Sequence, residues 1–225
     1  MCKDAADMIS SVFDDYVCHM CDAKRLSNRG RLSGGIIVAL KKSVSTCFER
    51  IHKDWENGIY FRVKNFPLPQ NLIICFLYVQ PENSQMYQLT EENGIDFLKN
   101  KILQISHEYE DCTFILCGDF NSRTANEPDF ILDDNTDYLP LSHDYMSDDF
   151  DCVRHSSDTV TNNYGRLLLD ICKEFGVHIV NGRMRSDIPS NFTFISRSGC
   201  STIDYFIVSS SLFSFISDMA VLSRT

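Results

Sequence analysis

A chain of 225 residues, 44% hydrophobic and 23% charged, has the composition of a soluble globular protein and excludes a disordered or fibrous one. Its formal net charge of -10 excludes nucleic-acid binding through a broad basic patch, although it leaves open a nucleic-acid ligand held at a discrete site. Met1 to Tyr16 contains Lys3, Asp4, Asp7, Asp14 and Asp15 and no apolar core, and the longest apolar run, Leu72 to Val79, is far shorter than the roughly 20 residues that span a bilayer. The chain therefore reads as intracellular, nuclear or cytoplasmic, with no membrane partner.

The first thirty residues are mixed and polar and predict no element. Ser33-Gly34-Gly35 then opens a strand over Ile36 to Leu40, stopped by Lys41 and Lys42. Gly58 to Lys64 alternates as a second strand, with Ile59, Phe61 and Val63 on one side. Asn71 to Val79 is apolar on both faces, so it predicts a strand covered on both sides. Glu91 to His107 places Ile95, Leu98, Ile102 and Ile105 on one helical stripe, with Thr90 as N-cap and two acids in the first turn. Thr113 to Cys117 is a further strand. Asp129 to Asp158 is acidic and aperiodic, the pattern of a long loop. Asn163 to Phe175 is the second helix, with Leu167, Leu168, Ile171, Cys172 and Phe175 on one face and Gly176 at its end. Val177 to Val180, Asn191 to Ile195 and Thr202 to Val208 complete the strands. No linker divides the chain, so a single domain over 1–225 is expected, with two packed sheets and helices outside them.

The ten cysteines do not form a pattern that dictates a scaffold. Cys75, Cys117 and Cys172 sit in apolar strand or helix patterns, where cysteine acts as a small hydrophobe. Cys18-His19-Met20-Cys21 has metal-ligand spacing, but no second Cys-x-x-Cys follows it to complete four ligands.

Three pieces carry chemistry. In Phe114 to Asn121 an apolar strand delivers Asp119 and Asn121 past its end, where alternation would put both side chains on one side. A carboxylate beside an amide suits phosphoryl chemistry: the acid orients a water or holds a metal, and the amide donates to a phosphate oxygen. The same residues also suit a strand-ending turn. In Ser201 to Val208 a single acid, Asp204, lies in an apolar strand and must be paired, whether with an imidazole it orients, with backbone or with a hydroxyl. In Leu77 to Pro81, Tyr78 ends a strand before a proline-stopped loop; contact with a ligand and simple packing are both open to it.

Together these pieces resemble the endonuclease/exonuclease/phosphatase superfamily, and within it the endonuclease domain of non-LTR retrotransposons. The supporting residues are Gly34 to Val38, Tyr78 with Pro81, Gly118-Asp119-Phe120-Asn121, Gly165-Arg166 with Leu168-Leu169, Asn181-Gly182, Phe192-Thr193-Phe194 and Ile203-Asp204-Tyr205. The resemblance covers about Asp15 to Val221. It implies a four-layer α-β-β-α sandwich of two mixed sheets, and hydrolysis of phosphodiesters that depends on Mg2+ or Mn2+. By the same resemblance Asp119 would position the attacking water and Asn121 would hold a phosphate oxygen. Tyr78 would contact the scissile phosphate, and Asp204 would orient a catalytic histidine. DNA is the implied substrate and a fused reverse transcriptase a possible neighbour in a longer element.

The sequence also departs from the family pattern. Members begin with a strand bearing an Asn and a second strand whose Glu binds the metal, and they end in Ser-Asp-His. None of these appears, so the resemblance reads the sandwich as incomplete at both termini. It names no metal ligand in the chain except a nearby Asp119. None of the six histidines (His19, His52, His107, His143, His155, His178) has a context that replaces the missing one; surface or cap roles are expected for His107 and His178. Impaired hydrolysis is the expectation, since losing a metal ligand and an acid–base group removes orders of magnitude in rate. The alternatives are a non-catalytic domesticated remnant that binds nucleic acid or protein, or a relative acting on RNA or phospholipid esters.

Overall fold

The computed structural model describes residues 13–24, 32–53, 55–64, 71–89, 93–131 and 153–222. Its described residues form a mixed α/β fold, and the chain divides into two compact units, Met1–Asn121 and Ser122–Thr225.

In the first unit, β1 (Tyr16–Cys21) and β2 (Ile36–Lys41) pair antiparallel in the register Tyr16↔Lys41 to Cys21↔Ile36. The first of these strands was not expected. Its residues YVCHMC alternate poorly, and their pairing with the strongly apolar β2 decides their conformation. A single helical turn, Lys42–Ser45, follows. A second sheet then runs β3 (Phe48–Ile51), β4 (Gly58–Val63), β5 (Leu72–Tyr78) and β6 (Thr113–Asp119). The first two junctions are antiparallel and β5–β6 is parallel. Parallel strands need a crossover, and here it contains α1 (Gly94–Glu108).

One face of β5 is buried at Ile73, Cys75 and Leu77, whereas on the other Leu72 is buried and Ile74, Phe76 and Tyr78 are half-buried, so the expected cover on both sides is only partly met. Ile59, Tyr60 and Phe61 of β4 are also buried, and Phe61 packs with Val38 and Leu40 of β2 in one apolar cluster. Burying a side chain of this size contributes about 1.5–3 kcal/mol. Along α1 the predicted stripe is the buried one, Ile95, Leu98, Ile102 and Ile105. Its start differs, because Asn93 is the N-cap and its side chain accepts from the backbone N–H of Ile95 and Asp96. Thr90 and the two acids after it lie outside the described residues.

In the second unit, α2 (Asn163–Phe175) has the predicted bounds, is capped by the Asn162 side chain and ends at Gly176. It buries Leu168, Leu169, Ile171 and Cys172. β7 (Val177–Ile179) pairs antiparallel with β10 (Asp204–Ser209), and β8 (Phe194–Ser196) with β9 (Gly199–Ser201) forms a hairpin. The hairpin displaces the strand expected over Asn191 to Ile195. Asn191 and Thr193 instead make side-chain hydrogen bonds, so pairing starts only at Phe194. Of the long acidic loop, residues 132–152 lie outside the described set. Among the described residues no helix is long and apolar enough to cross a membrane.

Candidate active site

β5 and β6 run parallel in a register that sets Tyr78 opposite Asp119, each the last residue of its strand. Beyond that point the Val79 N–H still donates to the Asp119 carbonyl oxygen at 2.8 Å, so the pairing extends one step past the strands. Gly118 makes this register possible. Its φ is +139°, and a Cβ there would lie 2.0 Å from the Leu77 carbonyl oxygen. Only glycine tolerates that approach.

Asp119 and Asn121 are brought together, but not by strand alternation. Asn121 adopts a left-handed conformation with φ +48°, a region that Asn visits more readily than most residues. The chain turns there, and the Asn121 N–H donates to Asp119 Oδ1 at 2.9 Å. Asn121 Nδ2 donates to the Val79 carbonyl oxygen at 2.8 Å, which ties its amide to the end of β5. Between the two, Phe120 is fully buried and anchors the turn. The strand-ending turn and the chemical reading are therefore compatible: the turn places the carboxylate and the amide beside Tyr78. Just before it in β6, burial pushes the Cys117 thiol up to about 12, in keeping with cysteine as a hydrophobe here.

Asp204 belongs to the second unit. It opens β10 and is half-buried, so it is not the enclosed acid that an apolar run suggested. Its backbone is firmly held. The N–H donates to Thr193 Oγ1 at 3.1 Å, and the carbonyl accepts from Asn181 Nδ2 at 3.2 Å. Asn181, itself buried, also accepts from the Phe206 N–H at 2.9 Å and so brackets Tyr205 from both sides. The Tyr205 hydroxyl lies 3.1 Å from Thr124 Oγ1 and donates to the Thr202 carbonyl at 2.8 Å. Burial raises that phenol to about 12, so it stays protonated and works as a fixed donor.

The second unit also contains ion pairs that the sequence did not announce. Arg123 grips Asp158 through Nε and Nη2 at 2.8 and 2.6 Å, and Asp158 also accepts from the N–H groups of Thr202 and Val160. Arg183 grips Asp129 at 2.7 and 2.6 Å, and the Ile179 N–H donates to the same carboxylate at 2.7 Å. Burial would raise both acids. The guanidinium hydrogen bonds, the backbone N–H bonds and the charge of the arginine together outweigh it and hold both below the usual carboxylate range. His178, expected at the surface or in a cap, is instead buried in β7, with Nε2 2.9 Å from Ser210 Oγ. The only advance signal was acids flanking a loop whose ends turn out to be anchored.

No protein-family model matches the chain, and no curated protein does. Solved structures do. One is the endonuclease domain of TRAS1, a telomere-specific non-LTR retrotransposon: 12% identity, TM-score 0.48, covering 88% of this chain and 69% of that one. A second is ANGEL2, a 2',3'-cyclic phosphatase solved with adenosine-2',3'-vanadate: 15% identity, TM-score 0.49, covering 92% and 66%. A third is an endonuclease/exonuclease/phosphatase family protein from Leptotrichia buccalis: 12% identity, TM-score 0.43, covering 88% and 61%. This chain thus spans about two thirds of the length of these solved chains, or less. The structures it is similar to are members of the endonuclease/exonuclease/phosphatase superfamily.

Proposed function

We propose that the chain is a phosphodiester hydrolase of the endonuclease/exonuclease/phosphatase type, built on that superfamily's four-layer sandwich. In this reading its substrate is DNA, as for a retrotransposon-type endonuclease domain whose longer element carries a reverse transcriptase. The observation that carries the reading is the shared end of β5 and β6, where Tyr78, Asp119 and Asn121 gather within one compact unit. The carboxyl ends of parallel strands are where α/β proteins bind ligands. Asp119 positions the attacking water, Asn121 holds a phosphate oxygen and Tyr78 contacts the scissile phosphate. By the resemblance Asp204 would orient an imidazole, although none of the six histidines of this chain has the context that supplies one.

Mg2+ or Mn2+ enters this reading through the sequence resemblance. Among the described residues no three His, Cys, Asp or Glu side chains gather into a set that could hold a metal ion. The donors among the described residues do not fit the ion. That observation favours a second reading, a non-catalytic remnant that binds nucleic acid or protein.

Nicking of supercoiled plasmid, with Mg2+ and with EDTA, separates the two. The hydrolase reading expects Asp119→Ala to slow nicking by about a hundredfold or more. Nicking at the same rate in Asp119→Ala sinks it. A gel shift without turnover supports the remnant.

A further inference from the structure

A tyrosine can serve a phosphate only if its ring is held, and Tyr78 stands at the end of a strand, where side chains are least constrained. One edge of its ring lies against Gly34: a Cβ on that residue would be 3.3 Å from Tyr78 Cδ1 and 3.5 Å from Cε1. Gly34 has φ +76°, so the close approach uses both its missing side chain and its left-handed backbone. The residue that fastens this segment is Ser33. Its backbone pairs with Lys24 in both directions, at 2.8 and 2.9 Å, and its hydroxyl donates to Gln80 Oε1 at 2.9 Å.

Gln80 lies two residues beyond Tyr78 and is only 4% exposed. Its carbonyl oxygen accepts from the Tyr87 hydroxyl at 2.7 Å, and its amide oxygen is 3.4 Å from Ser84 Oγ. The Ser84 contact alone would give the buried amide oxygen a partner. The shorter bond to Ser33 does more, because it joins the Gly34 segment to the stretch just beyond Tyr78, 47 residues away in sequence. Tyr78 also borders a small cavity with Asn57, Tyr60, Gly94 and Phe97, so packing on that side is incomplete.

We infer that Ser33 and Gln80 form a clasp that presses the Gly34 turn against Tyr78 and so positions its hydroxyl. Both are positioning residues that act through Tyr78. The catalytic consequence rests on the proposed function; the clasp itself does not.

The test uses the whole chain labelled with 3-fluorotyrosine, with the Tyr78 19F signal assigned by its loss in Tyr78→Phe. Ser33→Ala and Gln80→Leu are each expected to shift and broaden that signal. The double variant should go no further than Gln80→Leu alone, because Ser33→Ala removes a bond that Gln80→Leu has already removed. Gln80→Glu keeps an acceptor for the Ser33 hydroxyl and should restore most of the native signal. In diester turnover, kcat should fall about five- to tenfold in Ser33→Ala with KM within about twofold, the size of one lost neutral hydrogen bond spent on orientation. A native Tyr78 signal in Ser33→Ala overturns the inference, whatever turnover does. A shifted signal in a chain that hydrolyses no diester supports the clasp and removes the hydrolase reading instead.

Discussion

A Cβ built on Gly118 would lie 2.0 Å from the Leu77 carbonyl oxygen, and φ there is +139°. Both the steric and the conformational penalty fall next to the step where Tyr78 faces Asp119, since Leu77 and Gly118 are register partners one step earlier. Gly118→Ala is expected to cost about 4 kcal/mol or more, the range reserved for strain at a special backbone position. Urea unfolding measures it, and a loss below about 1 kcal/mol would show that the strands part without consequence. The sequence made Asp119 and Asn121 legible because an acid and an amide after an apolar run are rare outside turns and sites. It could not show Asn121 at φ +48°, because the tie from its amide to Val79 exists only once β5 lies beside β6. Asp204 was overread for a similar reason. An apolar run suggests enclosure, but a strand's first residue stands at its open end.

The two long helices show how far local pattern reaches at the scale of an element. α2 was legible in its bounds and its Gly176 stop, but not in its Asn162 cap, and Leu169 is buried where Leu167 and Phe175 of the expected face are half-buried. α1 was legible in its face but not its start. Thr90 and Asn93 are both good capping types, and periodicity does not choose between them. Asn93 accepts from the Ile95 and Asp96 N–H groups at 3.0 Å each. Asn93→Ala should therefore destabilise the chain by about 1 kcal/mol, seen as a lower urea midpoint. A change within a few tenths of a kcal/mol would mean that the helix is capped from elsewhere. β1 and β9 escaped notice, and β8 was expected three residues too early, because their residues are weakly patterned. Short strands of that kind take their conformation from the partner they pair with.

The ion pairs that hold Ser122–Thr225 make that unit sensitive to acid at the scale of the whole molecule. Asp129 and Asp158 titrate below their unfolded values, so between those values the unfolded chain binds more protons than the folded one. Their contribution is complete above the unfolded pKa of about 4 and is lost as pH falls through the lower folded values. Between about pH 5 and pH 2, hydrogen-exchange protection in β7, α2 and β10 should fall further than in β4, β5 and β6 of Met1–Asn121. Equal losses in both units would count against it. By itself, the sequence determined the apolar strands β2, β4, β5 and β6, the buried face of α1 and the bounds of α2, because each follows from local periodicity or from a helix-ending glycine. Only the tertiary structure decided the left-handed turn at Asn121, the burial of His178 and the partners of Asp129 and Asp158. Those are set by contacts between residues distant in sequence, such as Asp129 with Arg183, and no local pattern encodes them.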